Sequence, residues 1–413
     1  MTTKKQLEVL LGVCGSIAAY KALELVRLFH KQNWQVTSVL TRSAIKLVGV
    51  DSFRALTGRE VAVSLFPKSR TFSQKVEHVD LAGKSDLIVV APATANIIGK
   101  LANGIADDLL STLLLAVPPE KVCAGRVIFA PAMNQYMWLN QVVQANVNKL
   151  TTLGYRMVMP APGELACGQV GVGRMAPVED ILTACRVSLD EIPSLKDVPV
   201  LVTTGRTEEP IDPVRIITNR ASGLLGIEIT RILRAVGATT TLIAGAVSVP
   251  LPSDTVRVRT AEEMSDAVIK HLPSAKILIM CAAVADYQPV QSARKKLHQL
   301  NLTLQLKKTN DILTLASRQT HRPLLIGFSH DDSLARAKVK LREKYLDLIV
   351  ANPTATAGSD RINPTLIFSS GKILTMAEMS KSDFALVLVK VVAQLFWERN
   401  QRLNNDGSGT GTV

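Results

Sequence analysis

Residues 7–30, LEVLLGVCGSIAAYKALELVRLFH, indicate the fold in one stretch. The run 7–13 is mostly apolar, which is typical of a strand buried on both faces of a sheet. Gly12, Gly15 and Ser16 then interrupt the run, and residues 17–30 carry apolar side chains at helical spacing. A buried strand, a glycine-containing turn and an amphipathic helix in this order are typical of the first unit of a parallel α/β sheet.

Strand-like runs and amphipathic helical stretches alternate along the rest of the chain. In the first half, further buried strands are predicted at residues 36–40, 86–91 and 127–131. Residues 188–199, SLDEIPSLKDVP, carry two prolines and several charges and are interpreted as a linker. Beyond the linker, the pattern predicts a helix near 223–236 and strands at 200–203, 239–244, 277–281 and 346–350.

This alternation predicts an α/β protein with two tandem Rossmann-like, doubly wound parallel-sheet domains. The first domain is predicted to span residues 1–189 and the second residues 190–402. Residues 403–413 are predicted to be a disordered tail, because Gly, Ser and Thr dominate residues 404–413.

Composition narrows the classes of partner. The chain has 413 residues, is 47% hydrophobic, and carries a formal net charge of +13, which favours anionic partners. The basic residues are spread out and rarely interleave with aromatics, so phosphorylated small molecules are preferred over nucleic acid. No run suggests a membrane span or an export signal. The five cysteines form no CxxC pair, so neither a disulfide framework nor a zinc cage is predicted, and the expected compartment is the cytoplasm.

Polar and small residues follow three predicted strands of the first half. Gly15 and Ser16 open a helix and can cradle a phosphate, although an ordinary strand-to-helix turn would look the same. In APATAN (91–96), Thr94 and Asn96 can bond the polar edge of a flat ring, or Asn96 can simply cap a helix. Asn134, in PAMNQYMW (131–138), can bind a carboxylate, and a turn role is the alternative.

Two further residues are candidates for proton chemistry. Cys167 lies in the glycine-rich segment LACGQVGVGRM (165–175), where a thiol in a flexible loop can act as a proton donor or nucleophile. His78 precedes a predicted strand, and a lone histidine there is more often structural than catalytic.

Taken together, these motifs resemble the flavin-dependent cysteine decarboxylases, in particular those acting on phosphopantothenoylcysteine. The resemblance spans the first half and rests on residues 12–21, His78, APATAN, LANGIADDLLS (101–111), PAMNQYMW and ACG…GVGRM (166–175). It implies FMN as cofactor, Cys167 as the acid, His78 as base or orienting group, and Asn134 on the substrate carboxylate. The implied cofactor-binding residues are Gly15, Ser16, Thr41, Ala93, Thr94 and Asn96.

The second half has its own strand-end motifs. Ser222 and Gly223 open a helix, which again suits an anion, and Asp286 follows a buried strand, where it can hold a ribose or a metal or merely cap a helix. Lys340 and Lys344 are four residues apart and share a helix face suited to a triphosphate, with an ordinary solvated face as the alternative.

This half resembles the phosphopantothenate–cysteine ligases through TGRTEEPIDPVR (204–215), TNRASGLLG (218–226), AAVADY (282–287), KKTNDIL (307–313), IGF (326–328) and LDLIVAN (346–352). The resemblance implies that CTP activates 4′-phosphopantothenate as an acyl-cytidylate, which cysteine then attacks. It also implies Mg²⁺ as a cofactor, and the sequence does not identify the residues that bind this ion. It implies that Asn219 serves the acyl-cytidylate step. The implied CTP-binding residues are Asp286, Lys296, Thr309, Asn310, Asp311, Ile312, Phe328, Lys340 and Lys344.

Alternatives remain at this level. The family commonly has a lysine where this chain has Leu224, so an active decarboxylase with an impaired ligase is one alternative. A non-catalytic flavin-binding regulatory subunit is another, although His78, Asn134 and Cys167 are all retained. A NAD dehydrogenase is disfavoured, because Thr41 and Ser43 stand where an acidic residue would close the second strand. The resemblance also implies a homo-oligomer, with trimers of the decarboxylase half and dimers of the ligase half.

Overall fold

The computed structural model describes residues 6–65, 77–164, 170–299, 301–356 and 359–407. The chain forms two compact units, residues 1–191 and 192–413. Within the described ranges, no helix is both long enough and apolar enough to pass through a bilayer.

The first unit is built on a parallel sheet. Its strands are β1 (Glu8–Val13), β2 (Gln35–Leu40), β3 (Leu87–Ala93), β4 (Val127–Pro131), β5 (Arg156–Met157), β6 (Ala161–Glu164) and β7 (Val170–Arg174). Its helices are α1 (Lys21–Lys31), α2 (Val50–Thr57), α3 (Glu77–Lys84), α4 (Ala95–Ala102), α5 (Leu109–Leu115), α6 (Pro119–Cys123), α7 (Gln135–Trp138), α8 (Gln141–Thr152) and α9 (Val178–Leu189). The sheet order is β2-β1-β3-β4-β5 with all neighbours parallel, and β6 and β7 form a separate antiparallel hairpin.

Alternation along β1 explains why helices cover both faces of this sheet. Val9, Leu11 and Val13 point into a core formed with α1, α2 and α9. Leu10, between them, points into the opposite core, which α4, α5 and α8 complete. A strand buried on both faces must be apolar at successive positions, which is the pattern of residues 7–13.

The second unit contains a larger sheet. Its strands are β8 (Pro199–Thr204), β9 (Glu208–Pro210), β10 (Ile216–Thr218), β11 (Thr239–Ala244), β12 (Val256–Arg257), β13 (Ile277–Met280), β14 (Tyr287–Pro289), β15 (Leu306–Lys308), β16 (Leu324–His330), β17 (Leu348–Asn352), β18 (Arg361–Ile362), β19 (Thr365–Phe368), β20 (Ile373–Thr375) and β21 (Met379–Ser380). Its helices are α10 (Leu224–Ala235), α11 (Ala261–His271), α12 (Ile312–Ser317), α13 (Leu334–Glu343) and α14 (Lys381–Gly407). Short 3₁₀ turns occupy Ile17–Tyr20 and Ala44–Lys46 in the first unit, and Leu272–Ser274 and Thr354–Thr356 in the second.

The main sheet of this unit has the order β12-β11-β8-β13-β16-β17-β19-β20. The six strands from β12 to β17 are parallel, which confirms the predicted α/β class with parallel sheets. The last two strands extend the sheet at one edge: β19 is antiparallel to β17, and β20 is antiparallel to β19. Sequence periodicity did not predict this edge, because β19 and β20 are only four and three residues long.

The C-terminal helix differs from the sequence expectation at its end. α14 continues to Gly407, five residues into the segment 403–413 that composition predicts to be disordered. Extending an existing helix by a few residues is far easier than nucleating a new one, so unfavourable residues can follow a long helix. Residues 408–413 lie outside the described part of the chain.

Candidate active sites

The carboxyl edge of the first sheet gathers most of the residues that the sequence singles out. β1, β2, β3 and β4 are parallel, so the segments that follow them lie along one edge. The strand order reverses where β1 lies between β2 and β3. Ligands of open α/β sheets bind at such a reversal, outside the carboxyl ends of the strands. The residues found there are Gly15, Ser16, Thr41, Ala93, Thr94, Asn96 and Asn134.

The turn after β1 is tightly held. The Cys14 amide donates to the carbonyl of Pro92 at 3.2 Å, and the Ser16 hydroxyl accepts a hydrogen bond from the Ala18 amide at 3.4 Å. At Gly15, a Cβ atom would lie 2.3 Å from the Cβ of Ser43, so only glycine allows the two turns to pack this closely. A close backbone approach beside a helix start is the geometry that a phosphate requires.

We expect Gly15→Ala to lower both the stability of the protein and its binding of the FMN that the resemblance implies. The added methyl would force apart the turns after β1 and β2, and overpacking of this kind costs about 1–3 kcal/mol. The measurement is bound flavin per chain by absorbance, together with the melting temperature. The double variant Gly15→Ala/Ser43→Gly removes the closest contact and should recover part of both losses. An alanine variant with wild-type flavin content would contradict this interpretation.

The other strand ends place their side chains in defined positions. The Thr41 hydroxyl accepts a hydrogen bond from the Ala44 amide at 3.3 Å, which fixes the turn after β2. Thr94 is the N-cap residue of α4 but makes no side-chain capping bond, and Asn96 in the first turn is exposed. Asn96 is therefore not the helix cap that the alternative interpretation required.

Asn134 does have the structural role proposed as its alternative. It is the N-cap of α7, and its Oδ1 accepts a hydrogen bond from the Tyr136 amide at 2.8 Å. The side chain is half-buried at the carboxyl end of β4. The cap uses the side-chain oxygen of Asn134 and fixes the orientation of its NH₂ group. Asn134 can therefore both cap α7 and orient a bound ligand.

The β6–β7 hairpin flanks the segment that contains Cys167. Cys167 and the side chain of His78 lie outside the described residues, but both strands of the hairpin are described. The Met133 amide donates to the Gly173 carbonyl at 3.0 Å, and a Cβ on Gly173 would lie 2.3 Å from the Met133 carbonyl oxygen. The hairpin therefore packs directly on the segment that carries Asn134.

The LANGIADDLLS motif has a clear local role. Asp108 and Ser111 form a reciprocal capping box at the start of α5, and Lys100 contacts Asp107 at 2.6 Å and Asp108 at 2.7 Å. Although burial opposes it, the Lys100 ammonium and the Ser111 bonds hold the pKa of Asp108 below its usual value. These contacts fix α4 against α5 beneath the strand-end segment.

The described cysteines are poorly suited to acid–base work. Burial raises the pKa of the Cys14 and Cys281 thiols to about 12, and it also raises the pKa of Cys185. Cys123 is exposed at the end of α6, which leads to the amino end of β4 and not to the carboxyl edge.

The second unit contains a cavity of about 810 Å³ at the carboxyl ends of its parallel strands. The segments after β8 and β13 contribute to it, as do residues of β16 and β17 themselves. The strand order reverses at β8, which lies between β11 and β13, so this cavity also occupies a reversal point. The predicted site residues that line it are Asn219, Asp286, Thr309, Asn310, Asp311, Ile312, Phe328, Lys340 and Lys344.

Backbone contacts hold the two polar segments of this cavity together. The Asn219 amide nitrogen donates to the carbonyls of Ala283 and Val284 at 3.2 and 3.1 Å. The Thr309 hydroxyl donates to the Ala285 carbonyl at 2.6 Å, and the Thr309 amide donates to the Asp286 carbonyl at 3.0 Å. The loop after β13 is therefore fixed from both sides.

The two predicted lysines are held by neighbouring polar groups. Lys344 Nζ lies 2.9 Å from the carboxylate of Asp311, and Lys340 Nζ lies 3.4 Å from the Ser329 hydroxyl. Although burial raises it, the hydrogen bond from Lys344 holds the pKa of Asp311 below its usual value. Both lysines line the cavity, where their ammonium groups can also contact a bound anion.

Lys296 is the predicted nucleotide residue that the structure does not bring to the cavity. It is exposed and does not belong to the lining. The adjacent Leu297 is anchored: its amide donates to Asp212 Oδ2 at 3.2 Å, and its carbonyl accepts from Arg215 at 2.7 Å. Asp212 and Arg215 thus hold the base of the segment that carries Lys296.

Asp212 is the centre of this anchor. Its side chain is buried and accepts bonds from Arg215 and from the amides of Val214, Arg215 and Leu297. The Arg215 guanidinium, with these amides, holds the pKa of the Asp212 carboxyl far below its usual range. Because folding lowers this pKa, ionised Asp212 stabilises the folded protein at pH values above the pKa of the unfolded chain, about 3.9. This stabilisation is lost as the pH falls through the pKa of the folded state.

We expect Asp212→Asn to impair selectively the ligase activity that the resemblance implies for the second unit. The amide cannot accept all of these bonds, and the misplacement of a segment beside an active site can reduce the rate by up to about 10²-fold. The measurement is the rate of CMP release, with the decarboxylase rate as internal reference. Asp254→Asn is the matched control, because the Arg234–Asp254 pair at 2.8 Å is more exposed and should contribute little. Equal losses in both variants would exclude the anchoring role.

Three cations of the cavity were not singled out by sequence reasoning. Arg220, Lys308 and Lys381 all belong to the lining. Lys381 Nζ donates to the Ser359 carbonyl at 2.6 Å; burial lowers its pKa, with Cys281 and Asp360 acting in the opposite direction. Lys308 directly precedes the predicted loop, so extending that loop by one residue would have found it. No pattern in the sequence connects Lys381 to this site.

The sequence did not identify metal ligands, and the described part of the structure shows no cluster of metal-binding side chains. In the part of the chain that it describes, no group of three His, Cys, Asp or Glu side chains is arranged to hold a metal ion. Asp286 and Asp311 are the carboxylates that line the cavity.

Comparison with known proteins identifies both halves. The family model described as Flavoprotein matches residues 1–189, and the model of the DNA/pantothenate metabolism flavoprotein C-terminal domain matches residues 195–396. The coenzyme A biosynthesis bifunctional protein CoaBC of Vibrio vulnificus (strain CMCP6) is 38% identical over 408 residues, covering 96% of this chain and 99% of the relative. That of Bacillus subtilis (strain 168) is 37% identical over 407 residues, covering 95% of this chain and 98% of the relative.

The chain belongs to this family of bifunctional coenzyme A biosynthesis proteins. It is therefore an enzyme with a flavoprotein decarboxylase half and a ligase half, as the motifs of both halves predict. Among solved structures, the C-terminal domain of a family member aligns at 31% identity with 49% of this chain and 98% of its own, with a TM-score of 0.44.

Proposed function

We propose that residues 190–402 join cysteine to 4′-phosphopantothenate with CTP, and that residues 1–189 then decarboxylate the product with FMN to give 4′-phosphopantetheine. The main support is the cavity of about 810 Å³, which is lined by Asn219 and by eight of the nine residues expected to bind CTP. These residues come from segments between positions 219 and 344, and a shared cavity is the arrangement that a nucleotide site requires.

The ligase reaction is proposed in two displacements. A carboxylate oxygen of 4′-phosphopantothenate attacks the α-phosphorus of CTP, and pyrophosphate leaves. The amine of cysteine then attacks the carbonyl carbon of the acyl-cytidylate, CMP leaves, and the amine loses a proton. Lys340 and Lys344 would hold the phosphates, since fixed cations stabilise charge on a transferring phosphoryl group. Asn219, oriented by two backbone carbonyls, would contact the acyl-cytidylate.

Mg²⁺ is proposed to arrive with the nucleotide. This ion usually binds through one or two carboxylates together with substrate phosphates and water, so it needs no site made of protein side chains alone. Asp286 and Asp311, both in the cavity lining, are the candidate carboxylates.

The turn after β1 suits the phosphate of FMN. The absence of a side chain at Gly15, which lies close to Ser43, would let a phosphate approach the backbone of this turn, and the small residues Ala93 and Thr94 would leave room for a flat ring. Bound FMN would supply oxidation of the carbon that bears the substrate thiol, which makes loss of the carboxylate easy. Asn134 would orient that carboxylate, Cys167 would deliver the final proton, and His78 would act as base or orienting group.

The nucleotide cavity retains positively charged side chains although position 224 is a leucine. It is the first residue of α10 and lines the cavity, where relatives commonly carry a lysine. Lys308 and Lys381 line the same cavity and would supply positive charge in addition to Lys340 and Lys344. We therefore favour an active ligase over an impaired one.

Assembly and compartment are also proposed. Exposed apolar side chains near the flavin edge, Ile17, Tyr20, Tyr136 and Met137, suit a trimeric contact of the first unit. In the second unit, Tyr287, Val290, Leu302 and Leu306 suit a dimer.

The described cysteines are free thiols, in keeping with a cytoplasmic enzyme acting on small molecules and not on nucleic acid or membranes.

The deciding experiment incubates the purified protein with 4′-phosphopantothenate, cysteine, CTP and Mg²⁺ and follows the products by mass. A yellow protein that releases CMP and forms 4′-phosphopantetheine supports both halves. A yellow protein that decarboxylates supplied phosphopantothenoylcysteine but releases no CMP would reject the ligase assignment. A colourless, inert protein would reject both assignments, whereas a yellow protein that is inert in both assays would favour the flavin-binding regulatory alternative.

A further inference from the structure

A second cavity of about 750 Å³ lies in the ligase half, at the opposite edge of the sheet from the nucleotide cavity. Residues at the amino end of β17, the end of the antiparallel strand β19 and the start of β20 line it, together with α12 and α13. Leu341, Leu346, Ile367 and Phe368 form an apolar floor. The volume is within the usual range for small-molecule sites.

The rim of this cavity is strongly basic. Arg318, Arg322, Lys338 and Arg342 line it, with Asp347 as the acidic residue. The Asp347 carboxylate already accepts hydrogen bonds from Arg322 and from the Leu325 amide, at 2.8 and 2.7 Å. Among the described residues, Arg318, Lys338 and Arg342 form no ion pair. Three cations beside an apolar floor therefore have no anionic partner within the described chain.

Helix α13 separates the two cavities. Lys338 and Arg342 are four residues apart on one face, and Lys340 and Lys344 are four apart on another. Positions 338 and 340 are roughly 200° apart around a helix with 3.6 residues per turn, so the pairs face opposite sides. The first pair lines the second cavity and the other pair lines the nucleotide cavity.

We propose that the second cavity binds a small organic phosphate whose apolar body packs on Leu341 and Phe368 while its phosphate contacts Lys338 and Arg342. An inorganic anion alone would leave the apolar floor exposed, and a neutral apolar molecule would leave the cations unpaired. An organic phosphate satisfies both requirements, since charge-assisted contacts to phosphate are among the stronger hydrogen bonds. Lys372, whose Nζ lies 5.6 Å from the centre of the Phe368 ring, adds positive charge beside the floor.

The test uses 1-naphthyl phosphate, whose fluorescence reports binding, with the full-length holoenzyme in saturating FMN and CTP. Two double variants remove the same charge from opposite faces of α13: Lys338→Gln/Arg342→Gln and Lys340→Gln/Lys344→Gln. Lys338 and Arg342 are exposed, so the first variant should keep the wild-type melting temperature. We expect this variant to bind the probe at least about tenfold more weakly and to bind CTP normally, because each lost charge-assisted contact is worth roughly tenfold.

The second variant should show the opposite pattern, with weakened CTP binding and an unchanged probe affinity at the second cavity. Inorganic phosphate and 1-naphthol should each bind at least about tenfold more weakly than 1-naphthyl phosphate, since each lacks one of the two contacts. Unchanged probe binding in Lys338→Gln/Arg342→Gln would overturn the assignment. Loss of probe binding only in Lys340→Gln/Lys344→Gln would place the probe in the nucleotide cavity and overturn it equally. Neither result depends on whether the two enzymatic halves are active.

Discussion

Replacing Cys167 by serine is expected to reduce the formation of 4′-phosphopantetheine by roughly 10²–10⁴-fold, the usual contribution of a general acid. A hydroxyl has nearly the shape of a thiol but is a far weaker acid, so the final protonation should fail while substrate binding persists. Ligation should continue unchanged, because it belongs to the other half of the chain.

The described neighbours of Cys167 explain why this residue is the one to change. The β6–β7 hairpin bounds its segment, and Gly173 of this hairpin packs on Met133, next to Asn134 in the chain. The buried Cys14 and Cys185 thiols have raised pKa values and lie in apolar cores. Among the cysteines of the first unit, Cys167 is therefore the one whose segment is bounded by strands that pack on the segment carrying Asn134.

The products distinguish the role of Cys167 from a general loss of the site. With 4′-phosphopantothenate, cysteine and CTP supplied, we expect CMP release at the wild-type rate and a decarboxylated species that lacks two hydrogen atoms relative to 4′-phosphopantetheine. The matched control is Cys123→Ser, since Cys123 is an exposed free thiol at the other edge of the sheet, and this variant should behave as wild type. If Cys167→Ser turned over normally, the proton donor would have to be another group.

Strand ends explain how much of both sites was predictable from sequence. Parallel strands place their carboxyl ends along one edge, so residues such as Thr41, Thr94 and Asn134 can be grouped once their strands are recognised. Asp286 was grouped by the same reasoning, whereas Phe328 was implied by the resemblance alone, and both line the nucleotide cavity. The prediction needed only the identity of each strand and not the order of strands in the sheet.

Residues outside this logic were not predictable. Lys381 begins α14 and reaches the nucleotide cavity because the segment 359–361 folds back on it, through the Ser359 carbonyl and the Asp360 carbonyl. The second cavity depends on β19, which pairs antiparallel with β17, and on β20, which pairs antiparallel with β19. Lys296 illustrates the reverse case: its sequence position suggested the nucleotide site, but its side chain is exposed and outside the cavity lining.

We expect Asn219→Asp to lower the rate of CMP release by roughly 10²-fold or more and to leave decarboxylation of supplied phosphopantothenoylcysteine unchanged. The substitution keeps the shape of the side chain but replaces an N–H donor by a carboxylate oxygen. That oxygen would face the carbonyls of Ala283 and Val284, which now accept hydrogen bonds at 3.2 and 3.1 Å. The new negative charge would also stand in the cavity that is proposed to receive the phosphates.

The control for Asn219→Asp tests whether a lost side-chain bond alone explains the effect. Asn103 in the first unit also donates from its amide to a backbone carbonyl, that of Gly99, at 2.8 Å, and it is exposed. Asn103→Asp should therefore cost little in either activity. Binding of CTP, measured by calorimetry, separates two contributions: a loss confined to the rate assigns Asn219 to the acyl-cytidylate step, whereas an equal loss in affinity assigns it to ground-state nucleotide binding. Wild-type CMP release by Asn219→Asp would exclude Asn219 from the ligase reaction altogether.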